Sequence, residues 1–297
     1  FTCVALNVNS NLVITGVSDG VSKFVNSGAY RLHYVDYGGV ADTPVILIPG
    51  LLSSCRQWLR FAPLISPPFR VLAFDYLGVG LSDKPTDFSF TAAAQAEVIY
   101  IALRNLGIER AHLVGTSYGG GVVLALAGLH PELAATVTAI EGVFWWPGVM
   151  KLYRYYRYVL ALPLVGQVLF WLVSPFMVTR VLLWFFGELI LRRITTSDLR
   201  LLMECHIDPY ADRQAWIGLL HAPGEDLRAE VDRIRAPILY LTGGLSYARP
   251  FLIPAIAYLR QAQPSARIVH FPRGTHNLNV QIPQEIVPEM MALWNHH

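Results

Sequence analysis

Short, continuously apolar runs alternate with helix-like stretches along most of the chain. Runs of this kind, bounded by glycine, proline or aspartate, are typical of strands that are buried on both faces. The predicted strands are residues 45–48, 70–74, 112–114, 135–140, 237–242 and 267–271. Because the strands alternate with helices, the pattern predicts an α/β fold with a mainly parallel sheet covered on both faces.

Capping residues mark the predicted helices. Thr91 is the predicted N-cap of a helix over residues 90–106, which Gly107 closes. A helix rich in small residues is predicted over 118–129. Two further helices are predicted over 250–263 and 283–294.

The stretch from Gly142 to about Ala222 breaks the alternation. It is aromatic, mostly helical in pattern and interrupted by prolines. We interpret residues 142–222 as a cap inserted between two strands of the sheet. Residues 1–141 and 223–297 then form the core that the cap interrupts.

Within this stretch, residues 158–179 carry no charged side chain over 22 positions, a length that could span a bilayer. A single crossing would place the two halves of one sheet on opposite sides of the membrane. The next apolar run, residues 181–191, is short for a return crossing, and Pro163 and Pro175 interrupt the first run. We therefore expect a hydrophobic helical cap, able to make peripheral contact with a membrane surface.

Composition narrows the function classes. Hydrophobic residues make up 54% and charged residues 15% of the chain, and the mean hydropathy is +0.41, which excludes a disordered chain. The formal net charge is only +2 and no basic run is dense, so nucleic acid is not an expected partner. No signal-peptide pattern is visible, and a cytoplasmic or peripheral-membrane location is expected. The oligomeric state is not predicted.

The three cysteines, Cys3, Cys55 and Cys205, are widely spaced and form no CxxC pattern. Neither a disulfide framework nor a zinc site is expected from this spacing. We expect buried thiols. No metal or organic cofactor is predicted.

The sequence GTSYG at residues 115–119 follows a predicted strand and opens a predicted helix. In this context a G-x-S-x-G sequence forms a sharp turn that lifts the serine hydroxyl clear of the sheet. The helix N-terminus behind it supplies backbone N–H donors and a positive dipole end. Ser117 is therefore the predicted nucleophile, and the alternative is a turn of purely structural importance.

Four segments in order resemble the α/β-hydrolase superfamily over nearly the whole chain. They are GTSYG at 115–119, LIPGL at 47–51, FDYLGVGLSDKP at 74–85 and GTHN at 274–277. The second resembles the oxyanion loop, the third the family's D-x-x-G-x-G-x-S segment and the fourth the loop of the catalytic histidine. The resemblance implies a serine esterase- or lipase-like protein with a mostly parallel eight-stranded sheet and a helical cap after the sixth strand.

Pro49 departs from the family pattern, because many relatives have histidine there. An oxyanion hole needs only backbone N–H groups, and a proline at 49 leaves those of the following residues intact. The predicted donors are the N–H groups of Leu51 and Tyr118.

Of the nine histidines, His276 lies in a glycine-flanked loop just after a terminal strand. Loops that follow parallel strands gather at one edge of the sheet, where the turn at Ser117 also opens. His276 is therefore the predicted general base. His270, inside the strand 267–271, is expected to be a packed core residue.

The third catalytic group departs further from the family. Many relatives carry an aspartate after the seventh strand, where this chain has Ser246, and no Asp or Glu occurs between Asp232 and Glu285. A histidine base needs a group that orients it. Glu141 ends the sixth predicted strand, a position that carries the acid in one group of haloalkane dehalogenases of this superfamily. We assign Glu141 as the acid; a cap-anchoring carboxylate, a Ser-His dyad or an engineered Ser246 are the alternatives.

A serine nucleophile also limits the reaction. Attack on a carboxylic ester gives an acyl-enzyme that water can hydrolyse, whereas alkylation of serine would give an inert ether. The aromatic cap favours a small ester with an apolar acyl or alcohol part. Phe144, Trp145 and Trp146 are candidate substrate-binding residues, although part of this surface is expected to pack on the core.

Two alternatives stay open. A C–C bond hydrolase or an acyltransferase of the same fold would use the same serine and histidine. A catalytically silent ligand-binding homologue would keep the fold without turnover. Intact Ser117 and His276 speak against the silent homologue, and the missing aspartate speaks for it.

Overall fold

Eight strands form one sheet in the computed structural model, which describes residues 20–145, 151–173, 205, 208, 210–220 and 225–296. The strands are β1 (Val21–Ser27), β2 (Tyr30–Asp36), β3 (Val45–Ile48), β4 (Val71–Phe74), β5 (Ala111–Thr116), β6 (Ala134–Ile140), β7 (Ile238–Gly243) and β8 (Arg267–Phe271). Their spatial order is β1-β2-β4-β3-β5-β6-β7-β8. Only the pairs β1–β2 and β2–β4 are antiparallel. The predicted eight-stranded, mostly parallel sheet is confirmed.

Ten α-helices lie within the described ranges. They are α1 (Ala62–Ile65), α2 (Ala92–Asn105), α3 (Tyr118–Leu129), α4 (Lys151–Ala161), α5 (Pro163–Val173), α6 (Arg213–Leu219), α7 (Arg228–Arg233), α8 (Arg249–Ala262), α9 (Leu278–Gln281) and α10 (Pro283–Trp294). Thr91 caps α2 as predicted, because its Oγ1 accepts a hydrogen bond from the Ala94 N–H at 3.2 Å. The helix starts after Thr91 because Phe90 has a φ of +53°, which no helix can contain.

Both faces of the sheet are covered. Along β3, Ile46 and Ile48 belong to one buried apolar cluster, which the helices α2 and α3 complete. Val45 and Leu47 point to the other face and join a second cluster with residues of α1 and α10. The continuous apolar run 45–48 is explained by this double burial, since successive side chains of a strand point to opposite faces.

The strand register brings the chemistry-bearing loops to one edge of the sheet. Ile48 pairs with Gly115, Thr116 pairs with Ile140, and Ile140 pairs with Leu241. Because these strands are parallel, the loops that follow them all leave at the same edge.

Between β6 and β7 the described residues form the helices α4 to α7. Much of the predicted cap, including residues 174–204, lies outside the described residues, and the boundaries at 142 and 222 stay predictions. Among the described helices, none combines the length and the apolar character that a bilayer crossing requires.

Two smaller expectations have different outcomes. Cys55 and Cys205 are buried and form no disulfide, as predicted, whereas Cys3 lies outside the described residues. The prediction that His270 is a core residue is wrong, because its side chain is exposed. It lies on β8, which is an edge strand whose residues are at most half-buried.

Candidate active site

Ser117 occupies a strained turn between β5 and α3. Its φ is +52° and its ψ is −117°, a conformation that residues with a side chain rarely adopt. The backbone packs too closely for side chains at the flanking glycines. A Cβ on Gly115 would lie 2.0 Å from the Gly119 carbonyl oxygen, and one on Gly119 would lie 2.3 Å from that of Pro49. The two glycines of the predicted motif are therefore required by packing.

Backbone strain is concentrated around this turn. The four described non-glycine residues with positive φ are Leu52, Phe90, Ser117 and Glu141. Leu52 lies in the loop after β3, and the Phe90 carbonyl accepts a hydrogen bond of 2.7 Å from the Tyr118 hydroxyl. Glu141 directly follows β6. Strain of this kind persists only where surrounding structure holds it, and it clusters at functional sites.

Glu141 and His276 meet at this edge of the sheet. His276 Nδ1 lies 3.1 Å from Glu141 Oε2, and Glu141 is fully buried. A carboxylate can only accept hydrogen bonds, so Nδ1 carries the proton and Nε2 is the basic nitrogen. Ser117 is adjacent, because its backbone N–H donates to the carbonyl of Ile140 at 2.8 Å.

Three further groups hold the Glu141 carboxylate. Oε1 accepts hydrogen bonds from the Thr242 hydroxyl at 2.9 Å and the Gly243 N–H at 2.6 Å. Oε2 accepts a hydrogen bond from the Ser246 hydroxyl at 2.5 Å. Ser246, at the family's usual acid position, thus donates to the carboxylate that stands on the neighbouring strand.

These contacts decide the charge of Glu141. Burial alone would raise the pKa of its carboxyl, but hydrogen bonds from His276, Ser246 and Gly243, together with attraction to the His276 ring, lower the pKa below its ordinary value of 4.5. The group is therefore an anion at neutral pH in spite of its burial.

A lowered pKa makes the contribution of Glu141 to stability pH-dependent. The unfolded chain protonates this carboxyl at a higher pH than the folded chain does, so the stabilisation is present above 4.5 and is lost as the pH falls through the folded-state value. We expect the difference in unfolding free energy between the parent and Glu141→Gln to stay constant from about pH 7 to about pH 5 and to shrink as the pH falls below 4.5. Urea unfolding of both proteins across this range measures it. A difference that stays constant or widens as the pH falls below 4.5 contradicts the expectation.

The loop after β3 lies directly against the turn at Ser117. A Cβ on Gly50 would stand 3.5 Å from Ser117 Cβ. Gln57 Oε1 accepts the Gly50 N–H at 2.7 Å. The Tyr76 hydroxyl donates to the Gly50 carbonyl at 2.9 Å and accepts from the Leu52 N–H at 3.0 Å. The backbone on both sides of Leu51 is therefore fixed.

The second predicted oxyanion donor is the N–H of Tyr118, the first residue of α3. The first N–H groups of a helix have no partner within the helix and are available to an anion. Burial keeps the pKa of the Tyr118 phenol well above its usual range, so the hydroxyl remains protonated and donates to Phe90. The oxyanion roles of Leu51 and Tyr118 stay predictions.

The structure adds four residues to the predicted site. Thr242 and Ser246 hold Glu141, and Gln57 and Tyr76 hold the loop at Gly50. Tyr76 lies within the 74–85 segment, which marked the loop without indicating this contact. Nothing in the local pattern around Gln57 or Thr242 pointed to the site, because their partners lie in distant parts of the sequence.

The predicted substrate-binding aromatics lie in different surroundings. Phe144 is only 1% exposed and packs in the core cluster. Trp145 is half-buried, with the Arg228 guanidinium 4.3 Å from its ring centre, and Tyr258 packs against it. Trp146 lies outside the described residues. Substrate contact by these three residues stays a prediction.

One other buried cluster could offer metal ligands among the described residues. It consists of His33, Cys55 and Asp75. His33 Nδ1 lies 2.7 Å from Asp75 Oδ2, and His33 Nε2 lies 2.8 Å from the Ser22 hydroxyl. Burial and the Asp75 charge raise the pKa of the Cys55 thiol well above its usual range, so it is a neutral thiol. Hydrogen bonds of this group join β1, β2, the loop after β3 and the loop after β4.

Comparison with known proteins agrees with this architecture. A family model described as the alpha/beta hydrolase fold matches residues 43–167. This chain has the α/β-hydrolase fold. The matched region contains the loop after β3, Ser117 and Glu141, whereas His276 lies beyond it.

Individual relatives of this chain have different activities. The chain is 27% identical over 273 residues to the dihydrolipoyllysine-residue acetyltransferase component of an acetoin cleaving system from Pseudomonas putida. That match covers 91% of this chain and 68% of the relative. The chain is 33% identical over 118 residues to a 2-hydroxymuconate semialdehyde hydrolase from Pseudomonas sp. (strain CF600), a match that covers 39% of this chain and 41% of the relative. A solved hydrolase structure from Pseudomonas aeruginosa PA01 has a TM-score of 0.75 at 21% identity, with 93% and 98% covered. The match to the semialdehyde hydrolase spans about two fifths of that relative, and the solved structure supports the fold alone.

Proposed function

We propose that this α/β hydrolase is a serine hydrolase of carboxylic esters with an apolar acyl or alcohol part. The observation that carries the proposal is the 3.1 Å contact between His276 Nδ1 and the buried Glu141 carboxylate, at the sheet edge where the strained Ser117 turn lies. A carboxylate that orients a histidine beside a serine is the arrangement that activates a serine nucleophile.

In the proposed reaction, the Ser117 hydroxyl attacks the ester carbonyl and His276 Nε2 takes its proton. The Glu141 carboxylate stabilises the resulting imidazolium. The tetrahedral oxyanion collapses, the C–O bond to the alcohol breaks, and His276 returns the proton to the leaving alkoxide. Water, deprotonated by the same nitrogen, then hydrolyses the acyl-enzyme and restores Ser117.

The N–H groups of Leu51 and Tyr118 would hold the oxyanion in both steps. Support for this comes from the Gln57 and Tyr76 hydrogen bonds that fix the loop beside Leu51. A donor that is positioned before the reaction needs no reorganisation when charge develops, which is the basis of its catalytic effect.

The apolar sequence between β6 and β7 favours medium or long acyl chains over acetate. Each buried methylene contributes about 0.8 kcal/mol to binding, so kcat/KM should rise by at most about 15-fold for each two-carbon step until the pocket is filled. A panel of p-nitrophenyl esters from acetyl to octanoyl measures this. A kcat/KM that falls steadily along the series would show that the apolar segment only packs on the core.

Labelling by a fluorophosphonate probe tests the chemistry without knowledge of the natural substrate. The probe reacts with activated serines, and peptide mapping of the adduct should identify Ser117. Absence of labelling at Ser117, together with absence of turnover across the ester panel, would favour a catalytically silent ligand-binding protein.

A second candidate uses the same acyl-enzyme with a different bond or acceptor. The semialdehyde hydrolase and acetyltransferase-component relatives favour it. A protein that is labelled at Ser117 but turns over no ester in water would support this candidate. The experiment then adds alcohol or thiol acceptors, or C–C substrates with a carbonyl group, and identifies the products.

A further inference from the structure

The corner between α4 and α5 presents apolar side chains to solvent. Residues 161–165 are all exposed and all apolar. Leu164 is 78% exposed, Val165 51% and Val168 50%. We call residues 161–165 together with Val168 the apolar corner. Scattered apolar residues are normal on a water-facing surface, but a contiguous patch marks a binding surface.

The apolar corner is tied to the helices that flank it. The Gly166 N–H donates to the Leu162 carbonyl at 2.8 Å. A Cβ on Gly166 would lie 2.1 Å from the Leu160 carbonyl oxygen, so glycine is what allows α5 to approach α4 this closely. The same Leu160 carbonyl accepts a hydrogen bond of 2.7 Å from Arg213 of α6, and the Leu160 side chain is fully buried.

A short chain of contacts links the apolar corner to the candidate active site. Phe170 of α5 packs edge-on against Trp216 of α6, with ring centres 5.3 Å apart. A Cβ on Gly218 of α6 would lie 2.5 Å from the Phe90 ring. The Phe90 carbonyl in turn accepts the hydrogen bond from Tyr118, the residue after Ser117. The helices α4 and α5 are therefore connected to the candidate active site through α6 and Phe90.

The surroundings of the apolar corner are aromatic and cationic. Tyr155 and Tyr158 of α4 are 69% and 55% exposed, and the Arg157 guanidinium lies 5.2 Å from the Tyr158 ring centre. Residues 142–187 contain no Asp or Glu. The cations of this stretch are Lys151, Arg154, Arg157 and Arg180. Apolar, tyrosine and cationic side chains without acidic ones are the combination that binds at an anionic lipid–water interface.

We propose that the apolar corner docks on a bilayer surface that contains anionic phospholipids. Leu162, Leu164 and Val165 enter the boundary between headgroups and acyl chains, and Arg157 contacts lipid phosphate. A second copy of this chain fits less well as the occupant. A symmetric dimer through the apolar corner would bring two copies of Arg157 to one interface, and like charges that face each other are repulsive.

Vesicle co-sedimentation of the full chain tests the proposal. The vesicles are phosphatidylcholine alone, or equal parts of phosphatidylcholine and phosphatidylglycerol. We expect binding to the anionic vesicles that exceeds binding to the neutral ones and that weakens as salt is added. The double variant Leu164→Asp/Val168→Asp should lower the partition coefficient by about tenfold or more, because two apolar side chains are lost from the contact. Val40→Asp is the matched control, since Val40 is 85% exposed outside this region.

Several outcomes overturn the proposal. The proposal is overturned if the wild-type protein binds neither kind of vesicle, whether or not any variant folds. It is also overturned if the double variant, verified as folded by circular dichroism, binds the anionic vesicles as well as the wild-type protein does. Sedimentation velocity adds a third: self-association that the double variant abolishes, without vesicle binding, would assign the apolar corner to a second copy. No substrate is present in these experiments, so their failure is distinguishable from a failure of the proposed ester hydrolysis.

Discussion

Ser117→Ala is expected to lower kcat for the best p-nitrophenyl ester by about 10⁶-fold, because removal of an activated serine nucleophile removes the covalent route entirely. Labelling by the fluorophosphonate probe should disappear in the same variant. The loss should occur without unfolding, since Ser117 is half-buried and its side chain contributes little packing. Activity within tenfold of the parent would exclude Ser117 as the nucleophile.

Ser117→Gly is the matched variant for stability. Alanine keeps the strain of a side chain at a φ of +52°, whereas glycine adopts that conformation readily. Both variants should be inactive. The free energy of unfolding of the glycine variant should be about 1 kcal/mol higher than that of the alanine variant. Urea unfolding compares the two. Equal stability would show that the strain at this turn is too small to measure.

Glu141→Ala is the second change with a large expected effect, and it should lower kcat by about 10⁴-fold. A loss of this size is usual when the carboxylate that orients a catalytic histidine is removed. The substitution also removes the acceptor of four buried donors, which are the hydroxyls of Thr242 and Ser246, the Gly243 N–H and the His276 Nδ1–H. It should therefore destabilise the protein by about 1–3 kcal/mol per unsatisfied group. Glu141→Gln is the matched control, because it removes the charge and keeps the volume.

Ser246→Asp in the Glu141→Ala background separates the two roles of Glu141. The Ser246 hydroxyl and His276 Nδ1 both bind the same oxygen, Glu141 Oε2. An aspartate at 246 therefore reaches the space that the Glu141 carboxylate vacates, and part of the lost rate should return. Measurement of kcat for the parent, both single variants and the double variant gives the coupling.

The single variant Ser246→Asp gives the opposite expectation. In the otherwise intact protein it places a second carboxylate beside Glu141, and two carboxylates at one site cannot both ionise freely. Its activity should equal that of the parent or fall below it. If Glu141→Ala keeps most of its activity, the acid lies elsewhere. If activity is lost and Ser246→Asp restores none of it, Glu141 acts through anchoring of the neighbouring loops.

Local patterns in the sequence were sufficient for the strands, the turn at Ser117 and the candidate histidine. The run 45–48 is apolar at every position because both faces of β3 are buried. The glycines at 115 and 119 reflect close backbone packing that allows no side chain, at Gly115 against Gly119 and at Gly119 against Pro49. The apolar run and the motif are themselves local patterns, so they are visible without a structure even where the neighbours they pack against are distant in the sequence.

Glu141 is predicted from the missing acid after the seventh strand, from its place at the end of the sixth strand and from the resemblance to one group of haloalkane dehalogenases. Contacts between distant segments give it its surroundings. Its carboxylate is held by Thr242, Gly243 and Ser246, about a hundred positions away. The prediction that His270 is buried is wrong for a related reason, because the position of β8 at the sheet edge depends on strand order. Strand order and side-chain contacts between distant segments follow from the packing of the whole sheet. The sequence by itself therefore determined which residue types stand at each strand end, and only the tertiary structure decided which of them touch.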